Sequence, residues 1–178
     1  YAYIENPAVL SFFYLRKAPS VGGDTAFANM YAAYDALSQS MKGMLDDLQA
    51  MHSNVKRHQY QYLSEDAPVS ASDLAAYVPV KHPLVMTHPV TGRKSLYVSE
   101  ALTTAIVGLP VRESEAILRF LFEHCARPEF VYRHVWQEND LVVIDNRCTN
   151  HCAVADYDMD EAREMLIVCA RDPSQLYQ

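Results

Sequence analysis

Leu141-Val-Val-Ile-Asp145-Asn-Arg-Cys-Thr-Asn-His151-Cys-Ala153, followed at a distance by Arg163 and the run Met165-Leu-Ile-Val-Cys169, decides how this chain is read. Leu141–Ile144 is a short β-branched run of the kind that forms a buried strand, and Met165–Cys169 reads as the last strand. His151 is therefore expected just past a strand end, where a rigid sheet holds a ligand or a base in place. Arg163 opens the final strand. A fixed imidazole and a guanidinium on neighbouring strands suit a metal-bound substrate with an anionic tail.

Outward from that stretch, strands dominate both ends of the chain and helices are inserted between them. Leu10-Ser-Phe-Phe-Tyr-Leu15 has strand composition and is broken by Pro19 and Gly22-Gly23. Asp24-Thr25-Ala-Phe27 leaves that turn as a short strand. From Asn29 onward Met30, Ala33, Tyr34 and Leu37 recur at helical spacing, and a second helix begins after Ser38 or Ser40 with Met41, Met44, Leu45 and Leu48 on one face. Met51–Asn54 is a short strand. The Val55–Lys81 stretch has little periodicity and is expected to be a lid or flexible loop, with Tyr60, Tyr62 and Tyr77 as its aromatic contacts. Leu84–Thr87 and Ser95–Val98 flank Pro89-Val-Thr-Gly-Arg93 as a hairpin, Glu113–His124 is a helix, and Phe130–Trp136 alternates like a strand.

Half of the 178 residues are apolar or aromatic, which is enough for one domain, residues 1–178, with a real core. A formal charge of -7, from 22 carboxylates against 15 Lys and Arg, argues against a nucleic-acid or anionic-membrane surface. No apolar run approaches the roughly 20 residues needed to cross a bilayer, and no basic-then-apolar leader opens the chain. The expectation is a soluble, cytoplasmic protein whose partner is a small molecule or another copy of itself. Cys125, Cys148, Cys152 and Cys169 are expected as reduced thiols. The chain opens on Tyr1-Ala-Tyr-Ile4 without an initiator Met, so it is expected to be a piece of something longer.

Among the seven histidines, His52, His58 and His134 lack a carboxylate or Cys at metal-binding spacing and are expected to be surface or partly buried structural residues. His82-Pro83 and His88-Pro89 precede prolines, a matter of backbone shape. His124 ends a helix, where an imidazole helps the terminus locally. Only His151 sits inside a dense polar cluster. Cys148 and Cys152 flank it, but zinc needs four ligands and Cys125 and Cys169 form no second close pair. A Cys-His nucleophilic pair remains a possibility that adjacency does not support, since such dyads come from separate elements. Arg163 could pair with Glu161 or Glu164; with Thr25 it could instead supply two donors for a distal carboxylate.

Ile4-Glu-Asn-Pro7, Gly22-Gly-Asp-Thr25, Tyr34-Asp-Ala-Leu-Ser38, Thr87-His-Pro-Val-Thr-Gly92, Leu96-Tyr-Val-Ser-Glu100, Glu113-Ser-Glu115, Trp136-Gln with Asn139-Asp140, and Asp145-Asn-Arg147 with His151 together resemble the taurine dioxygenase family, in order and spacing over almost the whole chain. The resemblance implies a mainly β fold, the double-stranded β-helix or jelly roll, incomplete at its N-terminus. It also implies an enzyme that uses Fe(II), 2-oxoglutarate and O2 to hydroxylate a small organic substrate, releasing succinate and CO2. In that family a His-x-Asp pair and a later His hold the iron, an open facial triad. His151 matches the later His, while Arg163 and Thr25 match the residues that hold the far carboxylate of 2-oxoglutarate. Two departures follow. No His-x-Asp occurs in this chain, which puts that pair before residue 1. Ile167 stands four residues after Arg163, where members acting on sulfonates or aryloxy acids carry a second Arg. The rival expectation is a non-catalytic jelly-roll module or inactive fragment.

Overall fold

The computed structural model describes residues 2–55, 57, 77–158 and 160–172. In chain order its elements are β1 (Leu10–Lys17), β2 (Thr25–Asn29), α1 (Met30–Asp35), α2 (Gln39–Leu45), β3 (Gln49–His52), β4 (Val80–Pro83), β5 (Val85–Thr87), β6 (Lys94–Leu96), β7 (Thr103–Ile106), α3 (Val111–Cys125), β8 (Val131–His134), β9 (Leu141–Asp145), β10 (Thr149–Ala153) and β11 (Glu164–Ala170). The fold is mainly β with few helices. Most of the expected Val55–Lys81 lid, Tyr60 and Tyr62 included, lies outside the described residues. No helix among the described residues is long and apolar enough to cross a membrane.

β1 shows why its residues form a strand. Ser11, Phe13 and Leu15 are buried while Leu10, Phe12 and Tyr14 alternate with them on the other face, the period of two that a pleated chain imposes. β1 lies between β9 and β11 and is antiparallel to both, so Phe13 stands opposite Val142 on one side and Ile167 on the other. A second antiparallel sheet places β2 between β8 and β10, with Phe27 opposite Tyr132 and His151. The inner faces of the two sheets close on Phe13, Leu15, Phe27, Trp136 and Ile144. Burying each such side chain is worth about 1.5–3 kcal/mol, so this small core fixes the spacing of the sheets. On the outer face of the first sheet Leu141, Val143, Leu166 and Val168 stay largely exposed, an apolar surface of the kind that seeks a cover.

The larger core lies under the helices. α1 starts where Asn29 Oδ1 accepts the Ala32 amide, α2 where Ser38 Oγ accepts the Met41 amide, and both caps satisfy amides that have no partner inside the helix. Met30, Ala33, Leu45, Leu118 and Leu121 pack with Ala50, Leu84, Leu96 and Ile106 from the short strands. His124 has more than a local role: it is buried, and its Nε2 lies 2.8 Å from the Ala33 carbonyl, tying α3 to α1.

Several expectations need correction. His151 is not past a strand end but in the middle of β10, and Arg163 does not open the last strand but immediately precedes it; β10 and β11 belong to the two facing sheets. β4 and β7 were not foreseen, because Val80-Lys-His-Pro83 and Thr103-Thr-Ala-Ile106 have no clean alternation and owe their strand form to pairing with β3. The Phe130–Trp136 run is strand only from Val131 to His134, since Pro128–Phe130 forms a 3-10 turn ahead of it.

Candidate active site

Gly22 and Gly23 both have positive φ, +76° and +72°, a region cheap only for glycine. A Cβ on Gly22 would stand 2.6 Å from the Asp156 carbonyl oxygen, and one on Gly23 3.2 Å from Arg163 Cδ. The turn is thus pressed against the segment that leads into β11. Hydrogen bonds hold the two together: Asp156 Oδ1 accepts the Gly23 amide at 3.0 Å, and Arg163 Nε donates to the Gly23 carbonyl at 2.8 Å. Glu161 takes the Ser20 hydroxyl at 2.6 Å, and Arg133 bridges buried Asp24 at 2.6 Å to Asp156. Glu161 and Glu164, the alternative partners for Arg163, are engaged elsewhere, with Ser20 and Lys17.

Thr25 opens β2 behind this turn. Its Oγ1 accepts the indole N–H of buried Trp136 at 2.9 Å and lies 3.4 Å from Arg163 Nη2. Two donors already approach that oxygen, so what the hydroxyl has left for a ligand is its proton. Trp136 is a site residue that the alternation of its own stretch does not reveal, because its partner lies 111 positions away.

His151 points inward from β10, its ring edge-on to Phe13 at 5.0 Å and tilted against Phe27 at 6.3 Å. Water reaches the ring, yet cavity walls enclose most of it; that burial, with positive charge including Arg57 adding to it, pushes the imidazole down to about 4. At neutral pH His151 therefore carries a lone pair available to a metal. Its sequence neighbours do not join it: Cys152 turns to the opposite face of the strand and is exposed, as residue alternation requires.

Thr25, His151, Arg163 and Ile167 all line one cavity of about 430 Å3. Phe13, Val98, Leu102 and Met165 give it apolar walls, and Ser11, Asn146, Thr149 and Asn150 give it polar ones. Ile167 follows Met165 on the inward face and stands across from Phe13. Two more residues reach this cavity without having been expected there. His52, expected as a surface or partly buried residue, is fully buried at the end of β3, and burial pushes its imidazole down to about 4. Its alternation with buried Ala50 was the available signal. Arg57, five residues later, also lines the cavity, and nothing in its local sequence marks it.

The donor set can be tested against an iron ion. Among the described lining residues there is no carboxylate, so His151 fits as one imidazole ligand and the remaining protein ligands are not in this set. The one described group of His, Cys and carboxylate atoms within 4.8 Å of each other is His88, Asp145 and Cys148, and it is already committed. Arg147 grips both oxygens of Asp145 at 2.9 and 2.6 Å, and His88 Nε2 lies 3.0 Å away. His88 Nδ1 accepts the amides of Val90 and Thr91, which leaves its proton on Nε2 for Asp145. These bonds outweigh the effect of burial and hold Asp145 at about 2. The group is a brace between the β5–β6 hairpin and β9, and His88 does more than shape a pre-proline backbone. A second groove of about 560 Å3 shares Val98, Ser99, Ala101, Asn150 and His151 with the first cavity, and adds Glu100 and Cys152 among apolar residues such as Ala26, Ala28, Phe122 and Val131.

Comparison with known proteins identifies the family. The family model described as "Taurine catabolism dioxygenase TauD, TfdA family" matches residues 1–169. The chain is 42% identical over 147 residues to the alpha-ketoglutarate-dependent 2,4-dichlorophenoxyacetate dioxygenase of Cupriavidus pinatubonensis, covering 83% of this chain and 50% of that protein. It is 32% identical over 158 residues to an alpha-ketoglutarate-dependent sulfonate dioxygenase of Saccharomyces cerevisiae, covering 88% and 37%. The crystal structure of AAD-2 in complex with Mn(II) and N-oxalylglycine superposes with a TM-score of 0.86 at 37% identity, covering 96% of this chain and 66% of that one. The chain spans about half the length of the curated relatives it matches.

Proposed function

Because the chain belongs to the taurine catabolism dioxygenase TauD, TfdA family, we propose that the full polypeptide carrying it is an Fe(II)- and 2-oxoglutarate-dependent dioxygenase. It hydroxylates a small organic substrate and releases succinate and CO2. One observation carries this reading: Thr25, His151 and Arg163, far apart in the sequence, converge on a single cavity. The reading includes a double-stranded β-helix, supported by two facing antiparallel sheets, one domain for the chain, and action in the cytoplasm.

His151 supplies one of the iron ligands, and the others come from outside the described residues. Arg163, oriented by the Gly23 carbonyl, pairs with the far carboxylate of 2-oxoglutarate, and Thr25 donates its hydroxyl proton to the same group. When bound, iron and 2-oxoglutarate supply the oxidising chemistry, one oxygen atom of O2 going to the substrate and the other into succinate. The protein's share is positioning, since Phe13 and Phe27 fix the His151 ring and the Gly-Gly turn fixes Arg163. At residue 167 the aliphatic side chain, about half exposed, offers a sulfonate no donor. The preferred substrate is therefore not taurine or another small sulfonate.

The test is succinate release by the full-length protein with Fe(II), 2-oxoglutarate and a panel of sulfonates, carboxylates and neutral compounds. Iron-dependent release that disappears in His151→Ala is expected. Undiminished release in a correctly folded His151→Ala protein would refute the reading.

A further inference from the structure

We propose that Trp136 is a positioning residue for the cosubstrate: its indole N–H occupies a lone pair of Thr25 Oγ1 and so commits the Thr25 hydroxyl to donate its proton to the ligand. The inference rests on the dioxygenase reading above, because it takes Thr25 as a contact of 2-oxoglutarate. Trp136 is buried, and its Nε1 lies 2.9 Å from Thr25 Oγ1. Among the described residues the other group at that oxygen is Arg163 Nη2, at 3.4 Å. An indole N–H and a guanidinium N–H can only donate, so the direction of both bonds is fixed by chemistry. With both lone pairs of Oγ1 facing donors, the hydroxyl has a proton to offer and no acceptor.

Trp136 is not among the residues that line the cavity, whereas Thr25 is. Whatever the indole does for a ligand therefore passes through that hydroxyl. The ring is held in one pose by groups away from the ligand: His134 stands edge-on to it at 4.5 Å, and Phe13, Leu15, Phe27 and Ile144 pack in the same core. Thr25 lies opposite His134 in the β2–β8 pairing, which brings the chain leaving β8 past the Thr25 hydroxyl. A hydroxyl without this partner would rotate and could accept a hydrogen bond from a ligand that carries its own donor. With it, Thr25 and Arg163 both present donors alone. This end of the cavity then accepts an ionised carboxylate and rejects a carboxamide, whose NH2 group finds no acceptor there.

The experiment uses the full-length protein. Succinate release gives kcat and the KM for 2-oxoglutarate, and calorimetric titration of N-oxalylglycine and N-oxalylglycinamide into Mn(II)-loaded protein gives binding apart from turnover. Two replacements remove the N–H: Trp136→Phe, and Trp136→benzothienylalanine, which keeps the bicyclic shape and puts sulfur in place of the N–H. Each should raise the KM for 2-oxoglutarate about threefold, with kcat within about twofold, the scale of a lost neutral hydrogen bond. The preference for N-oxalylglycine over its amide should shrink about threefold. Thr25→Val combined with either replacement should stay near the roughly fivefold KM increase of Thr25→Val alone, where independent effects would multiply to about fifteenfold. Should Trp136→Phe fail to fold, the benzothienylalanine protein decides. An unchanged KM and unchanged amide discrimination in that protein, or effects that multiply with Thr25→Val, overturn this inference and leave the dioxygenase reading standing. Absence of both 2-oxoglutarate turnover and N-oxalylglycine binding in the wild type overturns both.

Discussion

The two ends of the cavity are built on opposite principles. At the Gly22-Gly23 end nearly every polar group has a protein partner: Arg163 with Gly23, Thr25 with Trp136, Asp24 with Arg133, and Asp156 with the Gly23 amide. At the β3 end Arg57 is exposed and His52 keeps a buried nitrogen without a partner. The first end is preorganised for one fixed guest, since its donors are already oriented before anything binds. The second is looser: an exposed guanidinium stands near an imidazole that packs against His82 and Tyr97 rather than against a network of polar partners.

Arg163→Ala should break the contrast most strongly. It removes the guanidinium from a site where a carboxylate would be left buried without its charge-assisted partner, a loss of about 2–5 kcal/mol. In the full-length protein the KM for 2-oxoglutarate should rise by more than tenfold while circular dichroism stays native. An unchanged 2-oxoglutarate dependence would remove Arg163 from its assigned role.

Acid should separate the two ends without any mutation. Burial lowers the His52 pKa to about 4 from an ordinary value near 6.5, so the folded state resists a proton that the unfolded chain accepts. The stability this withholds is fully present above pH 6.5 and is lost as pH falls from there towards 4, up to about 3 kcal/mol. At the other end Asp156 has its pKa lowered, first by the Gly23 amide and then by Arg133, so its contribution is lost only below the ordinary carboxylate range. Urea unfolding of the full-length protein at pH 7, 5.5 and 4.5 should therefore show a decline that begins at the imidazoles, flattened in His52→Gln. A stability that is level down to pH 4.5 would contradict the burial assigned to His52.

Thr25→Val should give the smallest effect. It removes one neutral acceptor from Trp136 Nε1 and one donor to the cosubstrate, about 1 kcal/mol each. The expected signs are a KM for 2-oxoglutarate raised about fivefold and a small fall in the urea midpoint. A larger effect than Arg163→Ala would reverse the order of importance at this end.

Much of the architecture was legible because it depends on local pattern. Leu10–Leu15 alternates, Ser38 caps, and Pro89–Arg93 turns a hairpin, and all three appear where their chemistry puts them. His151 was placed one element wrong because Thr149-Asn-His-Cys152 is too polar to resemble a strand; its strand form comes from pairing with β2. Thr25, Arg163 and His151 could be singled out through motif resemblance, although nothing local says that they meet. Arg57 was not legible, since nothing in its local sequence marks it, and Trp136 was legible as part of a motif but not in its role, which comes from Thr25, 111 positions away.

The placement of β1 between β9 and β11 also bears on when the site can exist. Leu10 stands opposite Asp145 and Ala170, and the Gly22-Gly23 turn is locked by Asp156, Glu161 and Arg163. Closing loops of that length costs entropy before any contact is returned, so these pairings form late. On the ribosome β1 has no sheet partner until β9 has emerged, and the Gly22-Gly23 end is not locked until Arg163 has followed, whereas the helices and the β5–β6 hairpin, whose contacts are more local, can collapse earlier. Synthesis therefore passes through a stage in which β1 exposes both hydrogen-bonding edges at once, and a chain interrupted before Arg163 would lack the strand that covers one of them.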